Sequence, residues 1–124
     1  MRTNRGYKRA ERVSKSIHRV LSQALSEGIE DPRLKGVIIT DVDLSDDLKN
    51  ARIYWYLTTG ADETRVAGAK QAFEKAMNRL KRILSEQIVL KKQPRLNFRY
   101  DDTIDQTRRI ETLLADAHTP PLDE

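Results

Sequence analysis

The strongest hydrophobic pattern in the chain lies between residues 65 and 101. Val66, Ala69, Phe73, Ala76, Met77, Leu80 and Leu84 recur at three- and four-residue spacing, which sets them on one face of a long α-helix. Pro94 has no N–H to donate and biases Gln93 away from helical dihedrals, so this helix is predicted to stop several residues earlier, near Ile88. Alternation follows. Leu96, Phe98 and Tyr100 point one way and Asn97, Arg99 and Asp101 the other, as in a strand with one buried face.

The same reading runs back to the start. Val13, Ile17, Val20, Leu21, Ala24 and Leu25 form an apolar arc on a first helix, for which Gly28 is a stop signal. Asp31-Pro32-Arg33 reads as a turn, because Pro32 restricts Asp31. A first strand is predicted over Val37–Leu44, yet strict alternation puts apolar groups on both of its faces: Val37 and Ile39 on one, Ile38, Val42 and Leu44 on the other. After a polar connection at Ser45–Leu48, a second strand spans Ala51–Thr58. Ala51, Ile53, Trp55 and Leu57 form its core face. Arg52, Tyr54, Tyr56 and Thr58 form the other, which fits either a stacking platform for bases or a β-favourable surface of amphipathic rings. Thr59–Thr64 is a turn and helix cap, with Asp62 and Glu63 suited to the positive end of the helix that follows. A short helix over Ile104–Ala115 and a Pro-rich, acidic, disordered tail complete the chain. The predicted architecture is α+β in the order α-β-β-α-α-β with an added C-terminal helix: one domain over residues 1–116 and a tail over 117–124.

Composition narrows the function classes. With 124 residues and no cysteine, the chain has room for one core and no disulfide or thiol chemistry, which suits the reducing cytoplasm. Its longest aliphatic run is Val37-Ile38-Ile39, far short of the roughly twenty apolar residues of a membrane span. Lys and Arg outnumber Asp and Glu by 23 to 19, a small excess whose distribution matters more than its size. Residues 1–20 hold seven cations against Glu11 alone, and residues 79–99 hold seven against Glu86 alone. Arg5, Lys8, Arg9, Arg12, Lys15 and Arg19 cluster opposite the apolar arc of the first helix, where a solvated face would ordinarily mix both signs. Such a stripe fits a polyanion, nucleic acid first, and also permits an acidic protein or an anionic membrane surface as partner.

Catalytic constellations are scarce. His18 and His118 stand in unrelated settings, which disfavours a shared metal or triad, and none of the five glycines forms a phosphate loop. The carboxylate pairs Asp46-Asp47 and Asp101-Asp102 suit turn capping better than metal binding. No enzyme activity, metal or cofactor is expected. Nucleic-acid affinity needs only flexible cations, and Arg5, Arg9, Arg12, Arg79, Lys81, Arg82, Lys91 and Lys92 are the candidate phosphate contacts. A K-homology domain would clamp RNA with a G-x-x-G turn, and the sequence has none.

Taken together, the residues resemble the ribosome-binding factor A family over about residues 9 to 114. The resemblance rests on Arg9-x-x-Arg12-Val13, on Asp31-Pro32-Arg33, and on Val42-x-Leu44-Ser45-x-Asp47-Leu48-x-x-Ala51. It is completed by Leu90-Lys91-x-x-Pro94-x-Leu96-x-Phe98-x-x-Asp101. It implies a type II K-homology-like fold with a mixed three-stranded sheet. It also implies a non-catalytic, monomeric, cytoplasmic factor that binds free small (30S) ribosomal subunits and 16S rRNA and promotes late maturation and 5′-end processing. In that family an Ala-x-Gly kink separates the two middle helices, and here it aligns with Ala76-Met77-Asn78. Asn tolerates positive φ better than most residues, so both a kink and a continuous helix with Asn78 on its polar flank are open.

Overall fold

Five regular elements follow the predicted order with one exception. In the computed structural model, which describes residues 4–59, 62–104, 111, 113 and 114, helix α1 spans Asn4–Gln23, strand β1 Val37–Leu44, strand β2 Asn50–Leu57, helix α2 Glu63–Gln87 and strand β3 Arg95–Tyr100. The helix expected over Ile104–Ala115 and the tail fall largely outside the described residues.

The exception is the middle helix. α2 runs unbroken through Ala76, Met77 and Asn78, and Leu48 is the one described non-glycine residue with positive φ. The two middle helices of the predicted order are therefore one, giving α-β-β-α-β. The reason is local. Asn78 stands on the exposed flank of α2 while Phe73, Leu80 and Leu84 on the opposite face are all buried, so a kink would break that seam and gain nothing at Asn78. At its start Asp62 caps the helix by accepting the Arg65 N–H at 2.8 Å. At its end Gln93 folds back, its Nε2 donating to the Ile88 carbonyl at 3.1 Å and closing the loop that leads to β3.

The sheet has the order β1-β2-β3, with β1 antiparallel and β3 parallel to β2. This is the mixed three-stranded sheet expected for the α+β class. Its register explains the two-faced apolar pattern of β1. Ile39 pairs with Trp55 and Asp41 with Tyr54, so Thr40 is the extra residue of a β-bulge. Past the bulge the side-chain parity inverts, and Ile39, Val42 and Leu44 all reach the core. The Thr58 N–H to Gly36 carbonyl bond fixes the ladder's alternation and turns the Ile39 carbonyl away from β2. His18 meets it: Nε2 lies 2.9 Å from that oxygen and, since a carbonyl only accepts, carries the proton.

Both helices cover one face of the sheet. Ile17, Val20 and Leu21 from α1, and Ala69, Phe73, Leu80 and Leu84 from α2, close over Ala51, Ile53, Trp55 and Leu57. Phe73 stacks on Phe98 at 4.5 Å, which anchors α2 to β3. Between α1 and β1 the chain passes through a π-helical turn at Ala24–Gly28 and a 3₁₀ turn at Pro32–Leu34. The second turn is locked by Asp31. Its carboxylate accepts the Arg33 backbone N–H at 3.0 Å and both Nε and Nη2 of the same arginine at 3.1 and 2.8 Å. These Arg33 bonds hold the Asp31 carboxyl at about 2, below its ordinary 3.8. The Arg33 side chain then passes against Gly68 of α2, so Asp31-Pro32-Arg33 is a structural buckle between the turn and the long helix.

Candidate nucleic-acid interface

Chain direction alone gathers much of the positive charge at one end of the sheet. α1 lies antiparallel to β1, with His18 over Ile39 and with Tyr7 and Ala10 beside Leu44 and Asp46 in a shared cleft. The first half of α1 thus sits at the end of the sheet where the β1–β2 connection turns. α2 crosses from the end of β2 to the start of β3, so the loop after it returns to that same end. There the Arg95 N–H donates to the Lys49 carbonyl at 2.8 Å. Arg9 and Arg12 on α1 and Lys91 and Lys92 in the loop are all exposed at this end, and none has an ion-pair partner among the described residues. Arg5 lies in the first turn of α1.

The α2 candidates divide. Arg79, Lys81 and Arg82 are each exposed, but Arg79 and Lys81 point about 200° apart round the helix. Arg79 shares the flank of Lys75 and Ile83, which faces Asp31 and Gly28. Lys81 shares the flank of Lys70, Glu74 and Met77, beside β3. Arg82 lies on the outer back. Lys81 therefore lies on the side of β3 that the Lys91–Lys92 loop leads into, and Arg79 does not.

Other cations stand where the sequence reading placed only a solvent face. Arg95, Asn97 and Arg99 are exposed on the side of β3 opposite Leu96 and Phe98. In register they stand beside Asn50, Arg52 and Tyr54, which in turn face Asp43 and Asp41 of β1. Charge thus grades across the sheet from acidic at β1 to basic at β3. The alternation in β3 held this signal, but its meaning depends on β3 being an edge strand, which only the long-range pairing decides. On the polar-aromatic face of β2, Arg52 and Thr58 are exposed and Tyr54 is half-buried, while Tyr56 is closed off. Tyr56 is 4% exposed and stacks on Tyr100 at 5.9 Å.

The carboxylate pairs serve turns. Asp47 accepts the Ser45 hydroxyl at 2.7 Å and the Lys49 N–H at 3.0 Å, the first of which chiefly lowers its pKa, and Leu48 takes the left-handed conformation, φ 63°, at the tip. Asp101 accepts from the hydroxyl and N–H of Thr103 and from the Thr40 hydroxyl at 2.8 Å. These bonds, that of the Thr103 hydroxyl first, hold its carboxyl below the ordinary range. The Thr40 contact ties the β1 bulge to the end of β3. No helix among the described residues is long and apolar enough to cross a membrane.

Known proteins agree with this architecture. The family model described as ribosome-binding factor A matches residues 9–114. A ribosome-binding factor A from Geobacter sulfurreducens is 37% identical over 113 residues, 91% of this chain and 94% of that protein. One from Coxiella burnetii is 34% identical over 106 residues, covering 86% and 87%. The crystal structure of ribosome-binding factor A from Thermus thermophilus superposes with a TM-score of 0.64 at 26% identity, over 73% of this chain and 93% of that one. A Thermus thermophilus model fitted into a cryo-EM map of a 30S–RbfA complex gives 0.60 at 26% identity, with the same coverage. By sequence and by fold, the chain belongs to the ribosome-binding factor A family.

Proposed function

We propose that this chain is a non-catalytic assembly factor that binds free small ribosomal subunits through 16S rRNA and promotes their late maturation and 5′-end processing. It acts as a cytoplasmic monomer, and other enzymes make the cuts. The observation that carries this reading is the convergence of exposed, unpaired cations from α1, from the flank of α2 and from the loop after it on one end of the sheet. Family membership and the 30S–RbfA complex of the Thermus relative support the choice of partner.

The test is cosedimentation with purified small subunits. A protein carrying Arg9→Glu, Arg12→Glu, Lys81→Glu and Arg82→Glu is expected to stay in the supernatant while its thermal melt by circular dichroism is nearly unchanged, since all four side chains are exposed. With about six phosphate contacts on irregular RNA, log affinity should fall against log salt with a slope of roughly −4. Retained cosedimentation or a flat salt response would reject this interface, and flotation of the protein with anionic liposomes in place of subunits would reassign it to a membrane surface.

A further inference from the structure

The strand order leaves one side of β3 open, because β2 pairs with it on the other side only. The Arg95 N–H donates to the Lys49 carbonyl and the Asp101 N–H to the Trp55 carbonyl, so the odd-numbered residues turn their backbone groups towards β2. In a parallel ladder the residues between them turn theirs the opposite way. The N–H and C=O groups of Leu96 and Phe98 therefore face outward, and no turn, loop or side chain among the described residues meets them. Unlike β1, this edge has an uninterrupted register, and Pro94 stands before its first residue and not within it.

The two faces beside this edge differ. On one, Arg95, Asn97 and Arg99 are exposed, and neither arginine has an ion-pair partner among the described residues. On the other, Leu96 and Phe98 adjoin a cleft of about 250 Å³ that Phe73 and Met77 of α2 also line. The charges on the α2 side of that cleft, Lys70 and Glu74, are of opposite sign.

These features select the occupant. A phosphodiester strand offers acceptors only and would leave the Leu96 and Phe98 carbonyls unmatched. A polypeptide strand presents donors and acceptors in turn, at the repeat of the ladder itself. A second copy of β3 is disfavoured, since an antiparallel pair centred on Asn97 would set Arg95 of each strand opposite Arg99 of the other. An acidic strand turns that repulsion into attraction. Because strand side chains alternate between faces, its carboxylates would stand beside Arg95 and Arg99 while the residues between them enter the apolar cleft. We propose that the β3 edge docks an extended segment of a partner protein in which acidic and apolar residues alternate, added to the sheet as a fourth strand. This surface is distinct from the cations of α1 and of the Lys91–Lys92 loop assigned to RNA above.

The probe is a capped eight-residue peptide of alternating Glu and Val, titrated into the ¹⁵N-labelled chain. The Leu96 and Phe98 amide resonances should shift saturably and exchange more slowly with solvent. A Lys–Val peptide should bind about fivefold more weakly or worse. The Glu–Val peptide N-methylated along its backbone, which keeps every charge but cannot donate, should not bind. Arg95→Glu with Arg99→Glu, both exposed, should invert the preference towards the Lys–Val peptide. Shifts confined to the Lys91–Lys92 loop would overturn the proposal, as would equal affinity for the acidic and basic peptides or undiminished binding of the N-methylated one. Oligouridine that slows the Leu96 and Phe98 amides would overturn it too, by making the edge a nucleic-acid contact. The titration with peptide contains no RNA, so its outcome is independent of cosedimentation with small subunits.

Discussion

The two edges of this sheet are built to opposite purposes. β1 presents Asp41 and Asp43, is interrupted by a bulge at Thr40, and has its Ile39 carbonyl occupied by His18. β3 is a regular run of six residues carrying Arg95, Asn97 and Arg99, fed by a loop with Lys91 and Lys92. Bulges and acids on an edge discourage both stray strands and polyanions. The β1 edge is thereby closed, and the β3 edge is left as the open, basic one. The same asymmetry gives a chain with a net charge of only +4 one distinctly basic edge. What counts is that Asp41 and Asp43 stand on one edge of the sheet and Arg95 and Arg99 on the other.

Exchanging the charges of the two edges is the strongest way to break this asymmetry. Lys91→Glu with Lys92→Glu should weaken small-subunit binding by about tenfold or more at moderate salt and reduce the salt slope by about 1.4, the share of two phosphate contacts. Asp41→Lys with Asp43→Lys should change affinity less than about threefold and leave the slope alone. Filter binding across a salt series measures both, and equal responses would mean that the edges are not distinct. A smaller effect is expected from His18→Leu, which leaves the Ile39 carbonyl without its donor. A loss of about 1 kcal/mol in urea unfolding should follow, with subunit affinity intact.

The smallest effect concerns Asp101, whose bond from Thr40 links the bulged edge to the end of β3. Its folded pKa is depressed, so its contribution to stability is complete above the ordinary carboxylate value of 3.8 and is lost as pH falls through the lower folded value. Asp101→Asn should flatten the acid limb of the stability profile below about pH 4 and leave the neutral region slightly less stable. An unchanged acid limb in pH-dependent melts would show that this carboxylate is not part of the linkage.

Much of the fold was legible because periodicity and punctuation agree. Pro94, Gly28 and Asp62 mark boundaries close to the observed ones, and the alternation of Ala51, Ile53, Trp55 and Leu57 names the centre of the core. The broken alternation of β1 was visible as an anomaly, but a bulge can be read only once Asp41 is seen opposite Tyr54. The continuity of α2 was not legible either. Asn78 permits helix or kink, and the choice falls to the buried seam around it. For the interface, the cation clusters were plain in the sequence while their facing was not. Arg79 and Lys81 are two residues apart in the chain and lie on different flanks of the helix, whereas Arg9 and Arg12 reach the same end of the sheet as Lys91 and Lys92 only through the packing of α1 on β1 and the pairing of β3 with β2.

The unbroken course of α2 bears on how this protein breathes. A ladder of i→i−4 bonds running from its Asp62 cap to Gln87 offers no weak rung in the middle. Amide hydrogens around Asn78 should therefore exchange with solvent as slowly as those beside Phe73 and Leu80, through cooperative opening, while fraying stays at the two ends. The loop with Lys91 and Lys92 thus hangs from the end of a stiff rod. Any change in the placement of that loop must come from the seven residues after Gln87 and not from flexing within the helix.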